Sequence, residues 1–260
     1  MRKAILILRR EISILTGNKI LPLLIVLIIF FLCGLFPEAK RHAEHVINPD
    51  LVLEYQKAIF TLAVAISVFL PIGVGRVMSS IIGATLFTRE FESSTMSTLG
   101  TLPIRRESIF LGKFLAVTLI CFIIALFYGL GTWIICLLTL GLPPFNLVVF
   151  TIFFIFVGCL YFSALSMLVS SLFRNSIAAI FLSLNLIYLS GFLVYSGLIK
   201  NMDLLKWLPE YYLQCLYNHL FKPKYIGSSE PSLFLSITVI LLIVVILLAA
   251  SAIILRFKDI

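Results

Sequence analysis

Residues 147–172 read LVVFTIFFIFVGCLYFSALSMLVSSL and contain no charged side chain. A helix rises about 1.5 Å per residue, so this stretch is long enough to cross a hydrocarbon core of about 30 Å. Five further stretches are similarly apolar, and we place the six spans at 20–36, 58–87, 114–140, 147–172, 177–199 and 233–255. The sequence therefore predicts six transmembrane helices.

The composition indicates a membrane protein over the whole length of the chain. Hydrophobic residues make up 61% of the 260 positions and charged residues only 12%, whereas soluble domains have about 25% charged residues. Alternating segments of about 10 residues, which are typical of membrane β-barrels, do not occur. The segments between the spans are too short for a separate soluble domain. We therefore expect a single all-α domain over residues 1–260, located in the cell membrane.

Basic residues predict the orientation of the chain. Lys and Arg are retained on the cytoplasmic side of short loops, so both termini are expected to be cytoplasmic. The net charge of +8 is explained by this topology and by attraction to anionic membrane lipids, and no pattern favours nucleic acid as a partner. The basic residues predicted to be cytoplasmic are Arg2, Lys3, Arg9, Arg10, Lys19, Arg89, Arg105, Arg106, Lys113, Arg174, Arg256 and Lys258.

Residues 1–19 have the pattern of an amphipathic helix. Apolar side chains such as Ile5 and Leu8 fall on one half of the helical wheel, whereas Arg9 and Arg10 fall on the other. A basic amphipathic helix typically lies in the membrane interface, so we predict that Arg9 and Arg10 contact lipid head groups. A solvated basic tail that only orients the chain is the alternative.

Arg76 is a charged residue within the second predicted span, which at 58–87 is longer than a bilayer requires. An arginine at mid-membrane costs about 2.5–3.5 kcal/mol on insertion scales, so we do not expect it to face lipid there. We favour a helix that kinks at Pro71 and places Arg76 at the inner interface. The alternative places Arg76 on a water-filled pathway.

The outer loop 200–232 has Trp207, Tyr211 and Tyr212 at near-helical spacing around Pro209. Trp and Tyr are enriched at membrane–water interfaces. The loop is therefore predicted to contain one or two short helices, broken by Pro209, that lie at the outer interface. A role in gating substrate access is the alternative.

The fifth predicted span contains the most polar group inside the membrane. We favour helix packing, including a dimer contact, as the role of Asn185 and Tyr188, although such bonds contribute only about 0.6 kcal/mol each on average. Substrate contact is the alternative. Ser163 and Ser166 of the fourth span are predicted to permit close helix approach. The members of the polar group are Ser183, Asn185, Tyr188, Ser190 and Tyr195.

No combination of residues predicts catalysis or a metal site. Ser, His and acidic residues fall on opposite membrane faces or in unrelated loops, so no nucleophile can be paired with a base. His42 and His45 have a spacing that could bind a transition metal, but a third ligand is not evident, and we expect them to be solvated. The chain also lacks a G-x-x-x-x-G-K-[ST] phosphate loop and has no acid in its predicted spans. If the protein uses energy, a partner must supply it.

The polar stretch 88–114, TREFESSTMSTLGTLPIRRESIFLGKF, joins the second and third spans on the predicted cytoplasmic side. Serines at its start can cap a short helix, Met96 and Leu99 belong to an apolar ridge, and Pro103 disfavours continuation of that helix. Acids precede this helix at its positive end. Bases, including Lys113, follow where lipid phosphates lie. We predict a rigid lever between two membrane helices.

This stretch resembles the coupling region of ABC-2 type transporter permeases, with the pattern E-x-E-x-G-T-L-x-x-L-L-x-x-P-x-x-R-x-x-x-x-x-G-K. Met96 stands at the first leucine, and Ser94 and Gly100 are further departures from the pattern. The residues that match it in register are Glu90, Glu92, Thr95, Leu99, Pro103, Arg106, Gly112 and Lys113.

The resemblance implies the membrane subunit of an ABC exporter. ABC ATPase subunits on another chain would dock at residues 90–103 and would themselves bind ATP and magnesium, so this chain would bind no cofactor. A second copy, or a related permease, would complete a central pathway. The coupling residues that the resemblance implies are Glu90, Glu92, Thr95, Met96, Leu99, Pro103 and Arg106.

Two other functions stay open at this point. A non-transporting membrane scaffold or sensor, controlled by a cytoplasmic partner, would bind at the same loop but would move no substrate. Secondary transport driven by an ion gradient is disfavoured because the spans contain no acids. For an exporter, apolar spans with scattered hydroxyls suit hydrophobic drugs, peptides or lipid-like molecules better than a dedicated charged solute.

Overall fold

The computed structural model describes residues 74–92, 106–140, 145–173, 175–195, 206–221 and 231–257, together with positions 7, 9, 10 and 13. All regular structure in these residues is helical, which confirms the all-helical prediction for this part of the chain. The outer loop 37–57, with His42 and His45, lies outside it. The helices are α1 Val74–Glu92, α2 Arg106–Leu140, α3 Phe145–Leu172, α4 Ser176–Tyr195, α5 Pro209–Phe221 and α6 Leu233–Phe257.

Four of the described helices, α2, α3, α4 and α6, are long and apolar enough to cross a membrane. They correspond to the predicted third to sixth spans. The predicted first span and residues 58–73 of the second lie outside the described residues, so the six-span topology stays a prediction. The segments of membrane-spanning length are Ile109–Ile134, Val148–Leu172, Ser176–Val194 and Leu233–Leu255.

α3 is the central helix of the described bundle. It has no charged side chain, and a helix that is apolar all round is expected to be buried. It packs against α1, α2, α4 and α6 and touches α5. Its buried side chains, such as Phe154, Tyr161 and Met167, belong to an apolar cluster shared with these helices. The positions of the other helices are therefore set by α3.

Small residues bring α1 and α3 into close contact. A Cβ atom added to Gly83 would lie 2.6 Å from the carbonyl oxygen of Ser163 and 2.9 Å from the Cβ of Ser166. The Ser163 hydroxyl donates across this contact to the carbonyl of Ser79 at 3.4 Å and lies 3.3 Å from the Sγ of Cys121 on α2. Small residues allow helix backbones to approach closely in membranes. The predicted close approach is confirmed for Ser163 and Ser166.

α2 has one face toward α3 and one face away from the bundle. Phe110, Val117 and Ile124 recur every two turns on the buried face. The outward face is also apolar, as expected for a helix whose surroundings are lipid. Its exposed residues include Leu111, Leu115, Leu119, Phe122, Phe127, Leu130 and Ile134.

The start of α4 is capped by Asn175. Its side-chain oxygen accepts hydrogen bonds from the amides of Ile177 at 2.9 Å and Ala178 at 3.3 Å, as Asn commonly does at the N-cap of a helix. From this start α4 packs against both α1 and α3. This path brings Gly191 close to the end of the Arg76 side chain and Ser190 close to Glu210 on α5.

Candidate functional site

Arg76 lies in the first turn of α1, and its side chain is only 2% exposed. The guanidinium nitrogen Nη2 donates to Oε2 of Glu210 on α5 at 2.7 Å, and the Glu210 side chain is 1% exposed. The two residues are 134 positions apart in the sequence. They form a buried ion pair that joins α1 to α5, and we refer to it as the Arg76–Glu210 pair.

Glu210 is positioned by the first turn of α5. Pro209 is the first residue of this helix. Proline is favoured at this position, because the backbone N–H that it lacks would have no partner within the helix. The amide of Tyr211 donates to the Leu208 carbonyl at 3.0 Å. An acid in the first turn of a helix is favoured by the macrodipole. Pro209 begins this helix, and residues 206–208 before it are not helical, whereas the predicted helical stretch before 206 lies outside the described residues.

α5 turns one face into the bundle. Tyr211, Leu213 and Leu216 are buried on this face, and α5 packs mainly against α6, with smaller contacts to α3 and α4. Trp207, just before the helix, is 85% exposed. A short helix in the loop 200–232 is thus confirmed, but it is anchored in the protein rather than only resting on a surface.

Aromatic rings and a glycine enclose the guanidinium of Arg76. Its Cζ lies 5.3 Å from the ring centroid of Phe162 on α3 and 5.8 Å from that of Tyr188 on α4, and both are within the range of cation–π attraction. A Cβ atom added to Gly191 would collide with Nη1 of Arg76 and lie 2.9 Å from Nη2. Gly191 therefore leaves the space that the guanidinium occupies. Four helices, α1, α3, α4 and α5, meet at this site.

The second carboxylate oxygen of Glu210 also has a partner. The Ser190 hydroxyl lies 3.3 Å from Oε1 of Glu210 and 2.9 Å from the carbonyl oxygen of Ile187 in its own helix. Because a hydroxyl carries one proton, these two acceptors compete for it. The shorter distance favours Ile187, so Arg76 supplies the stronger hydrogen bond to Glu210.

Burial and pairing act in opposite directions on Glu210. Burial raises the pKa of its carboxyl group to about 7, and the Arg76 guanidinium and the Ser190 hydroxyl oppose this rise. Removing one partner of a buried pair costs about 3–5 kcal/mol, since the other is left without its counter-charge. Separation of α1 from α5 is correspondingly unfavourable.

The structure shows the surroundings of Arg76 and separates Asn185 from Tyr188, which the sequence grouped together in the fifth predicted span. Arg76 is enclosed by protein and does not face lipid, as predicted; its place at the inner interface, or on a water-filled pathway, stays a prediction. Tyr188 contacts Arg76 and thus has a packing role. Asn185 is exposed and donates to the carbonyl of Phe181 in its own helix at 2.7 Å, so this bond does not cross to another helix.

Sequence reasoning missed Glu210. Its signal was present, because Glu210 is the one Asp, Glu, Lys or Arg residue of the stretch 207–221, just as Arg76 is the lone charge of the second predicted span. Two isolated charges of opposite sign in apolar segments are candidates for pairing, because buried charges need partners. No pattern in the sequence indicates that these two segments meet.

The predicted coupling region is more helical at its ends than expected. Residues 88–92 belong to α1 and residues 106–114 to α2, so the connection between the two helices is 93–105. Glu90 and Glu92 lie in the last turn of α1, and Arg106 is the first residue of α2. The connection, with Thr95, Met96, Leu99 and Pro103, lies outside the described residues, so its predicted short helix stays a prediction.

The family is identified from a match over more than half of the chain. A family model described as ABC-2 family transporter protein matches residues 7–190. The chain belongs to the ABC-2 transporter family. The match extends from the N-terminal segment through the predicted coupling region and most of α4, whereas Glu210 lies beyond it. No curated protein matches the chain.

Membership of the ABC-2 family confirms the resemblance found in the sequence. ABC-2 permeases are membrane components of ABC transport and are not themselves enzymes, and they generally partner with ABC ATPase subunits. The long apolar helices of the chain agree with a location in a membrane. The Arg76–Glu210 pair and the ends of α1 and α2 are therefore features of a membrane permease.

One of the predicted lipid-interface residues is not at the surface of this permease. Lys113 is 0% exposed, so the prediction that it contacts lipid was wrong. It lies one turn from Phe110 and Val117 on the face of α2 that packs against α3, and the helical phase buries its side chain. Arg9 and Arg10 are helical and exposed, and their contact with lipid stays a prediction.

Proposed function

We propose that this chain is the permease subunit of an ATP-driven ABC exporter, and that a separate ATPase acts on it through residues 90–103. The observation that carries the proposal is the continuity of α1, which runs unbroken from Arg76 in the bundle to Glu92 at the predicted cytoplasmic end. These two residues are about 24 Å apart along the helix axis at 1.5 Å per residue. A force applied at Glu90 and Glu92 is thereby carried into the bundle.

The acids at the end of α1 support a docking role. The carboxyl end of a helix is its negative end, so Glu90 and Glu92 do not stabilise α1 through the macrodipole. Acids that weaken their own helix are better explained by binding to a basic partner or by the start of a following helix. Both explanations fit a cytoplasmic connection that an ATPase contacts.

The tight contact between α1 and α3 supports transmission of the movement. Gly83 lies against the backbone of Ser163, and packed interiors resist compression and transmit strain. A displacement of α1 is therefore passed on to α3 and from there to α2, α4 and α6. In the proposed mechanism, ATP and magnesium bind to the partner ATPase, whose closure rocks α1 and α2 and switches access to the pathway.

The pathway itself is proposed to form between two permeases, either two copies of this chain or this chain and a related one. The cargo class that suits it is a hydrophobic drug, peptide or lipid-like molecule. Both termini are placed in the cytoplasm, on the side where the ATPase docks. This arrangement puts residues 90–103 of each permease against one ATPase subunit.

The first test is association with an ATPase. The full chain is co-expressed with the ABC ATPase encoded nearest to its gene, and co-purification is measured for the wild type, Leu99→Asp and Trp207→Asp. We expect Leu99→Asp to reduce the bound ATPase by at least about tenfold, because it places a charge on the predicted apolar ridge. Trp207→Asp adds the same charge at an exposed position beside α5 and should retain the ATPase. Equal retention by all three proteins would contradict docking at this segment.

The second test separates an exporter from a scaffold or sensor. The co-purified complex is reconstituted in proteoliposomes, and ATP-dependent movement of a panel of fluorescent hydrophobic peptides is followed. We expect flux with ATP and magnesium and none with Leu99→Asp. A complex that binds its ATPase but moves no member of a broad panel would favour the scaffold function.

A further inference from the structure

We propose that Arg76 and Glu210 are positioning residues that fasten α5 to the outer end of α1, so that α5 follows α1 when the coupling segment is displaced. This inference rests on the proposed function for the source of the displacement. The physical connection between the two helices is independent of it. The two parts are therefore tested separately.

α5 contacts both α6 and the side chain of Arg76 on α1. Its main packing is with α6, through apolar residues such as Leu213 and Leu216. α1 reaches α5 through the long side chain of Arg76, which donates to Glu210 at 2.7 Å. Apolar contacts alone would make α5 move with α6. The Arg76–Glu210 pair adds a directional link to α1.

The link is stiff at both of its ends. Phe162 and Tyr188 hold the guanidinium between α3 and α4, and Gly191 leaves little spare space beside it. Glu210 lies in the first turn of α5, where Pro209 fixes the backbone. A charged pair with both side chains at most 2% exposed is screened much less than a pair at the surface. A displacement of the first turn of α1 is therefore expected to displace the first turn of α5.

The pair lies at the end of α1 opposite to the predicted docking site. Glu90 and Glu92 are in the last turn of α1, and Arg76 is in the first. α1 has no proline between these turns, so it has no built-in kink. α1 is thus a straight connection between the predicted ATPase docking site at its last turn and α5 at its first turn. α5 belongs to the segment predicted to lie on the outer side, where it would respond to events in the cytoplasm.

Cys215 provides a probe of α5 docking within the natural sequence. It carries a thiol rather than half of a disulfide, and it is buried on α5 with Tyr211 and next to Val194 and Leu208. Its modification by a water-soluble maleimide requires α5 to lift from the bundle. The rate is measured on the full chain in lipid nanodiscs, and the modified position is identified by mass spectrometry. No ATPase is needed for this measurement.

We expect Arg76→Met and Glu210→Ala each to raise the rate of Cys215 modification by at least about tenfold. Glu210→Gln keeps the shape of the side chain and should give a smaller increase. The combined variant Arg76→Met with Glu210→Ala should react no faster than the faster single variant, because both changes remove the same contact. Tyr212→Phe, a change on α5 that keeps the aromatic ring, is the control and should match the wild type.

Modification at the wild-type rate in Arg76→Met and Glu210→Ala would overturn the link, because it would mean that apolar packing alone holds α5. The link would also be overturned if the increase in the Cys215 modification rate in the combined variant equals the product of the increases in the two single variants. Size-exclusion profiles show which variants fold. If Arg76→Met or Glu210→Ala does not fold, the isosteric variant Glu210→Gln is used instead. A higher rate of Cys215 modification than in the wild type would support the link, and an equal rate would overturn it.

The response to the ATPase is tested on the co-purified complex. A non-hydrolysable ATP analogue with magnesium should change the rate of Cys215 modification by at least about threefold in the wild type and leave it unchanged in Glu210→Gln. Glu210→Gln should still bind the ATPase, unlike Leu99→Asp. If the rate of Cys215 modification in the wild-type complex is the same with and without the analogue, movement is not transmitted to α5 and the proposal is overturned. A wild-type chain that binds no ATPase would instead contradict the proposed function, while the nanodisc measurement still decides the link.

Discussion

α1 makes two kinds of contact along its length. Toward its middle, Gly83 lies against the backbone of Ser163, and the contact depends on small size. At its first turn, Arg76 extends a long side chain to Glu210, and the contact depends on charge. The first holds two backbones close together, whereas the second connects helices that otherwise share few contacts. The packed contact fixes the distance between two backbones, whereas the charged pair gives a directional link between two helix ends.

The largest expected effect tests the packed contact. Gly83→Leu introduces a side chain where even a Cβ atom would lie 2.6 Å from a backbone oxygen, and backbone cannot move aside cheaply. We expect a loss of about 3 kcal/mol or more in the free energy of unfolding, measured as the unfolding midpoint of the purified chain in detergent. Thr85→Leu adds comparable bulk at a half-buried position of the same helix and should change stability by less than about 1 kcal/mol. Equal midpoints for the two variants would contradict the close contact.

The charged contact should show a different response to substitution. Arg76→Met alone is expected to cost about 3 kcal/mol, because it leaves Glu210 buried without its counter-charge. Addition of Glu210→Leu should recover most of this loss, since apolar residues of similar volume often replace a buried pair without cost. Unfolding midpoints of the two single variants and the combined variant give the comparison. A combined variant as unstable as Arg76→Met would mean that the site needs the charges for stability itself.

The smallest effect concerns Gly191. In the wild type, Gly191→Ala gains about 1 kcal/mol of helix propensity but displaces the end of the flexible Arg76 side chain, so we expect a net change near zero. In the Arg76→Met variant the guanidinium that a side chain at position 191 would displace is absent, so Gly191→Ala should stabilise the chain by about 1 kcal/mol. A double-mutant cycle on unfolding midpoints measures the difference. An identical effect in both backgrounds would show that Gly191 does not shape the arginine site.

The apolar spans were the most predictable part of this molecule. Length and hydropathy alone placed α3 and α6 within a few residues, because a bilayer demands long apolar helices. The coupling pattern of 90–113 likewise indicated the ABC-2 family, because its matching residues follow one another without a gap. These features are local in sequence, and their periodicity or register can be read from consecutive residues.

Features that depend on distant residues were missed or misjudged. The pairing of Arg76 was not predicted, because its partner, Glu210, is far away in the sequence and belongs to a loop segment. Lys113 was assigned to lipid from its position at the end of a span, although the phase it shares with Phe110 and Val117 places it on the buried face. Glu92 was taken as part of a loop, because a polar composition does not reveal that the helix with Arg76 continues to residue 92.

The distance between Arg76 and Glu210 in the sequence has a consequence for biosynthesis. At about 5–20 residues per second, the ribosome needs roughly 7–27 s to add the 134 positions that separate the two residues. In the predicted second span, Arg76 would be without its counter-charge during that time, and insertion scales put the cost of an arginine at mid-membrane at about 2.5–3.5 kcal/mol. The arginine helix is therefore expected to settle in its final place late, when α5 emerges and completes the pair.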